Sequence, residues 1–234
     1  MKPLLILPIA AAISVQSALA ALNVEWGSLI PSAIVDSSGA ALDGSFTLQL
    51  GFFRNDFAPN ATPLTGNAAE WAANWVAFDQ TVYTVYNEQL GYFTSSAEIN
   101  ANGSSTSPYA DNDLGLNYTG EQAYIWAFNS QTPGTNTEWF LATDPSWVFP
   151  VGNDDCCDTT PPLQWSLSDL DNGDVTPVVG AQTGQTGAGD YSITNPLYDL
   201  QTFTIVPEPS ALALLAIAAS GLVLRRERGS RISP

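Results

Sequence analysis

Short runs of alternating side chains, each closed by turn-forming residues, constrain this chain more than any other feature of it. In residues 45–50, Phe46, Leu48 and Leu50 fall on one side and Thr47 and Gln49 on the other, the pattern of a strand with one buried face. Residues 81–86 read Thr-Val-Tyr-Thr-Val-Tyr, and β-branched and aromatic side chains suit a pleated surface. Further candidate strands lie at 28–35, 122–128, 138–143, 163–167 and 201–206, separated by Gly, Asn, Asp, Ser and Pro. Strands this short and this regularly interrupted predict an all-β domain, a sandwich or jelly roll. Residues 100–113 and 176–190 are polar or glycine-rich and read as long loops.

One segment departs from the pattern. Trp71, Trp75 and Phe78 stand at i, i+4 and i+7, and Asn67 followed by Glu70 is a capping-box signature. The spacing predicts one short helix over 67–78. Stripes of this kind usually face inward, so Trp71 and Trp75 are expected to seal the core. The competing reading makes their rings a platform on which a carbohydrate stacks. Trp126, Trp139, Trp147 and Trp165 are likewise expected inside.

Charge narrows the function classes. The chain has 23 Asp+Glu, 6 Lys+Arg and no His. Lys2 lies near the start and four arginines lie in the last ten residues, so Arg54 is the only cation between Ala21 and Val206. Glu208 and Glu227 also fall beyond that segment, which leaves 21 carboxylates there and a formal charge of −20. Phosphate backbones are bound by Lys and Arg, so such a surface excludes nucleic-acid binding.

The two ends explain where the remaining cations sit. In residues 1–20, Lys2 precedes an apolar stretch from Leu4 to Val15, and Ala18-Leu19-Ala20 is a small-x-small cleavage pattern. This is the layout of a secretory signal peptide, with Ala21 as the first mature residue. At the other end, Pro207-Glu208-Pro209 is followed by an uncharged run of 14 residues, 211–224, and then by Arg225, Arg226 and Arg228. As a helix that run is about 21 Å long, shorter than the ~30 Å hydrocarbon layer. The flanking prolines and arginines nevertheless favour a transmembrane helix over a buried core helix. Positive charge after an apolar span places that end in the cytoplasm, and snorkelling arginines and bilayer thinning absorb the mismatch. The two ends agree in placing the acidic domain, residues 21–205, outside the inner membrane.

The order Pro-Glu-Pro, apolar helix, arginine cluster over residues 206–234 resembles the PEP-CTERM sorting signal. The resemblance implies recognition and removal of the tail by exosortase, a membrane peptidase, and delivery to the cell surface or an exopolysaccharide matrix of a diderm bacterium. Before removal the helix would anchor the protein transiently in the membrane; afterwards no span would remain. The resemblance covers the tail and implies nothing about the activity of residues 21–205.

Chemistry inside the domain is bounded by what it lacks. Without His, the Ser-His-Asp and Cys-His schemes and His-ligated zinc are excluded. Paired carboxylates, as in glycoside hydrolysis, remain open, but 21 acidic residues satisfy such a spacing unspecifically, and enzymatic activity is not expected. Asp169, Asp171 and Asp174 alternate around Gly173, and Asp111 and Asp113 precede Gly115. Both are weighed as calcium loops, though neither fits the EF-hand, and solvated turns are the favoured reading. Apart from that Ca²⁺ alternative no cofactor is expected. Cys156 and Cys157 are adjacent and flanked by carboxylates; in an oxidising exterior they are candidates for a vicinal or intermolecular disulfide.

Taken together, these features predict an exported structural or adhesive surface protein. The alternatives are a carbohydrate- or calcium-binding module and a glycan-active enzyme using two carboxylates. N-terminal sequencing of the protein recovered from cells is expected to begin at Ala21; a chain beginning at Met1 would overturn the export signal.

Overall fold

The computed structural model describes residues 22–30, 32–62, 66–85, 90–151, 163–167, 177–182, 185–187 and 199–205. The signal region, the sorting tail, Cys156, Cys157, Asp169, Asp171 and Asp174 lie outside the described residues.

The described fold is all-β, with one short helix. Its centre is an antiparallel five-stranded sheet of β3 (Thr47–Phe53), β4 (Trp75–Val82), β8 (Tyr124–Phe128), β9 (Glu138–Ala142) and β14 (Phe203–Thr204), in the order β14-β9-β8-β3-β4. A three-stranded sheet packs on one face. In it β1 (Leu22–Gly27) runs antiparallel to β7 (Thr94–Ile99) and parallel to β10 (Leu163–Ser166). A third sheet has the order β12-β11-β13-β2, formed by β2 (Ile34–Val35), β11 (Ala181–Gln182), β12 (Gln185–Thr186) and β13 (Leu200–Gln201). A two-stranded ribbon pairs β5 (Thr84–Val85) with β6 (Gly91–Tyr92). Glu138 ties β9 to the segments beside β2 and β13, accepting hydrogen bonds from Ser37 Oγ at 2.6 Å and Thr202 Oγ1 at 2.5 Å.

Both faces of the central sheet are buried, and the alternation along each strand sorts its side chains between two cores. Leu48, Leu50, Val76, Ile125, Ala127 and Phe140 point to the inner core, which they share with Val24, Trp26 and Ile99 of the three-stranded sheet. Phe53, Trp75, Trp126, Phe128, Trp139 and Leu141 point the other way, into a second cluster completed by Trp71, Val179 and Ile205. In that outer cluster Trp71 stacks on Trp139 at 5.0 Å and 21°, and Trp126 meets Trp139 edge-on at 5.1 Å and 89°. Such pairs add about 0.5–1.5 kcal/mol each beyond the area they bury.

The helix is shorter than the i, i+4, i+7 spacing predicts. A 3₁₀ turn (Ala68–Glu70) leads into α1 (Trp71–Asn74), and the chain is extended from Trp75 onward. Trp75 and Phe78 therefore belong to β4, and they enter different cores. Asn67 does not cap the helix either. Its Oδ1 accepts the Asn60 N–H at 2.8 Å and the Trp71 indole N–H at 2.9 Å, and its amide donates to Ala58 O at 3.0 Å. The residue pins a loop and orients a tryptophan instead of closing a capping box. The first strand also differs from the expectation of 28–35: it is Leu22–Gly27, with Leu29 and Ile30 exposed beyond its end.

A bulge shapes the edge of the sheet. Pairing of β3 with β4 runs Leu50↔Asp79 and then Gly51↔Ala77, so Phe78 is an extra residue in β4. A bulge turns two successive side chains toward the same side. Here they are Phe78, packed in the inner core, and Asp79, which accepts hydrogen bonds from Trp26 Nε1 at 2.8 Å and Ser107 Oγ at 2.6 Å. Gly51 faces the bulge closely: a Cβ there would overlap the Val76 carbonyl and the Trp75 ring. Gly51→Ala is accordingly expected to cost about 1–3 kcal/mol through overpacking. Gly44→Ala, whose Cβ would meet nothing within 4 Å, serves as the neutral control in denaturant unfolding.

Candidate functional site

Outside the bulge, β4 would present a sheet edge, and residues 100–118 cover it. Asp111 N–H donates to Ala77 O at 2.9 Å, and Ala77 N–H donates to Asp111 Oδ2 at 2.7 Å. Tyr118 donates its phenol proton to Ala77 O at 2.5 Å, and Ser105 Oγ donates to Phe78 O at 2.8 Å. The segment expected as a polar loop is thus built into the fold, with Tyr118 fully buried. Asn112 and Gly115 belong to a 3₁₀ turn (Asn112–Leu114) whose end has Gly115 at φ 63°. Asn112 bonds both ways with the Ser105 backbone. Asp111 precedes this turn and Asp113 lies within it, and among the described residues no three His, Cys, Asp or Glu side chains group together.

Between this covering segment and the outer face of the sheet runs a groove of about 320 Å³. Gln49, Arg54, Trp75, Tyr109, Asp111 and Gln131 contribute its chemistry. Gln49 and Trp75 come from the paired strands β3 and β4. Gln49 Oε1 accepts the Trp75 indole N–H at 2.8 Å and the Gln131 amide at 3.2 Å, while its own amide donates to Gln80 at 2.9 Å. Arg54 follows β3 and opens a tight turn, closed by Phe57 N–H donating to Arg54 O at 3.1 Å. The two central residues, Asn55 at φ 60° and Asp56 at φ 55°, are left-handed, a conformation Asn and Asp tolerate better than other non-glycine residues. Arg54 Nη2 donates to Ala73 O at 2.5 Å; its buried Nε has no hydrogen-bond partner among the described residues.

Trp71 and Trp75 lie in the outer core, as expected, and form no stacking platform. Trp71 is 0% exposed and Trp75 6%, and all seven tryptophans are buried. Trp75 reaches the groove with little of its surface, its indole N–H already committed to Gln49. The exposed ring at the groove is Tyr109, at 56%. Sequence reasoning missed this constellation because its members are spread from Gln49 to Gln131 without a motif. The one available signal was Arg54, the domain's single cation.

Burial raises Glu121 above the ordinary carboxylate value, and the negative charge of Asp56 raises it further.

A family model for the PEP-CTERM protein-sorting motif matches residues 206–228. The chain carries a PEP-CTERM protein-sorting motif. The motif implies export, processing by exosortase, a membrane peptidase, and cell-surface localisation. The motif covers only the tail and carries no information about the domain before it. No curated protein and no solved structure matches the chain.

The buried phenols set an alkaline limit on the domain. Burial raises Tyr118 most, with the nearby Asp111 carboxylate adding to it, and burial also raises Tyr83 and Tyr124. Above the ordinary phenol value of about 10 the unfolded chain releases protons that the folded chain retains. Stability is complete below that pH and declines as pH rises through the window above it. Melting temperature measured from pH 8 to 11.5 is expected to fall above pH 10, and to fall less steeply in Tyr118→Phe.

Proposed function

We propose that residues 21–205 form a structural and adhesive component of the cell surface, held in or beside an exopolysaccharide matrix, and not an enzyme. The observation that carries this reading is the sorting motif at 206–228, because it dedicates the chain to the surface through a peptidase that removes its anchor. The packing of the domain supports it. Among the described residues the central sheet is buried on both faces, and a close-packed interior of this kind resists deformation. The formal charge of −20 keeps the released domain soluble and attracts divalent cations, which can bridge acidic chains to anionic polymers. In this reading the helix at 211–224 holds the protein in the inner membrane only until cleavage near Pro207-Glu208-Pro209.

Replacing Pro207 and Pro209 together by Ala tests the sorting step. Intact mass in membrane, surface and medium fractions is expected to show a wild-type species ending near 207–209 at the surface, and a variant retaining Arg225, Arg226 and Arg228 in the inner membrane. Cells lacking the protein are expected to lose surface attachment or matrix cohesion, restored by the wild-type chain. A processed protein whose loss leaves both unchanged would overturn the structural role.

A further inference from the structure

The groove between the covering segment and the outer sheet face carries an assignment of its own. We infer that it binds a neutral oligosaccharide segment, gripped by Arg54, Asp111, Gln49 and Gln131, with Tyr109 stacked against a sugar face. The inference deepens the surface reading and rests on it for the presence of glycan where the protein works.

Four observations point this way. The groove's polar groups are planar amides, a guanidinium and a carboxylate, which offer paired donors and acceptors to neighbouring hydroxyls of a sugar ring. The amides are held before any ligand arrives: the Gln49 carbonyl accepts from Trp75 and Gln131, and its amide is fixed by Gln80. Held groups lose little freedom on binding. Arg54 is anchored through Nη2 to Ala73 O, and its guanidinium keeps further N–H donors. Among the described residues it forms no hydrogen bond with the Asp111 that shares the groove. Finally, the volume of about 320 Å³ falls at the small end of the ~300–1,000 Å³ of ligand sites, and Tyr109 supplies an exposed ring at its rim.

Charge selects the class of saccharide. Arg54 and Asp111 together leave the groove without net charge, so it exerts no local pull on a carboxylate. The field of a domain at −20 opposes an acidic polymer. Hydroxyls, which donate to Asp111 and the Gln131 carbonyl and accept from Arg54, satisfy both walls without adding charge.

The test is made in solution, so it stands apart from where the protein is sorted. The protein recovered from its host is titrated calorimetrically with cellohexaose, mannohexaose, maltohexaose and N-acetylchitohexaose, and with hexagalacturonate as the acidic counterpart, at low and physiological salt. At least one neutral hexasaccharide is expected to bind saturably, and at least tenfold more tightly than hexagalacturonate. Tyr109→Ala, Gln131→Ala and Arg54→Ala are each expected to weaken it at least tenfold with near-ultraviolet circular dichroism unchanged. Should Arg54→Ala disturb the fold, the other two carry the test, since neither side chain is fully buried. Failure of every neutral probe to bind, binding that the Tyr109 and Gln131 variants leave unchanged, or tighter binding of hexagalacturonate would each overturn the assignment. None of these outcomes would touch the sorting or the matrix role.

Discussion

One extra residue in β4, opposite the junction of Leu50 and Gly51, organises much of this domain. It turns Phe78 and Asp79 inward together, placing a carboxylate against the inner core. A buried charge left alone would be costly, and here Trp26 from the facing sheet and Ser107 from the covering segment both donate to it. The same bulge releases backbone groups at Ala77 and Phe78 from the ladder. Asp111, Tyr118 and Ser105 take them up. A local irregularity thus joins the two sheets, fixes residues 100–118 and closes a strand edge that would otherwise invite pairing with another chain.

The central sheet follows from a different rule. A strand buried on one face alternates; one buried on both need not. Residues 124–128, Tyr-Ile-Trp-Ala-Phe, and 138–142, Glu-Trp-Phe-Leu-Ala, are apolar on both sides because each side has a core to fill. The outer core is the more aromatic and is closed by a single turn of helix, which Asn67 holds through the Trp71 indole. Packing is not complete in its polar accounting: the Trp126 and Trp147 indole nitrogens are buried without partners. Their rings contribute through area and edge-to-face contact.

The groove is a by-product of these two solutions that acquires chemistry of its own. Its floor is the outer sheet face, one wall is the covering segment, and the other is Arg54 with Ala72 and Ala73 of α1. Left-handed Asn55 and Asp56 store a little strain, of the kind that collects where a side chain must be aimed. In a domain whose net charge repels polyanions, the groove pairs one cation, Arg54, with one carboxylate, Asp111.

Much of the architecture was legible because it rests on local pattern. Period-two alternation announced β3, and charge placement with proline punctuation separated the ends from the domain. The sorting tail was readable because a peptidase recognises it as a linear segment. The stripe of Trp71, Trp75 and Phe78 misled because spacing records only separation along the chain. Whether Trp75 continues a helix or begins a strand was decided by pairing with Phe53 across the sheet. The groove lay beyond reach for the same reason: Gln49, Arg54, Tyr109 and Gln131 are unremarkable alone. By itself the sequence determined an acidic, all-β chain with a sorting tail, since each of these follows from composition or contiguous pattern. Only the tertiary structure decided which tryptophans line which core and which polar groups meet, because a bulge's hydrogen bonds and a sheet's second face are satisfied by residues distant along the chain.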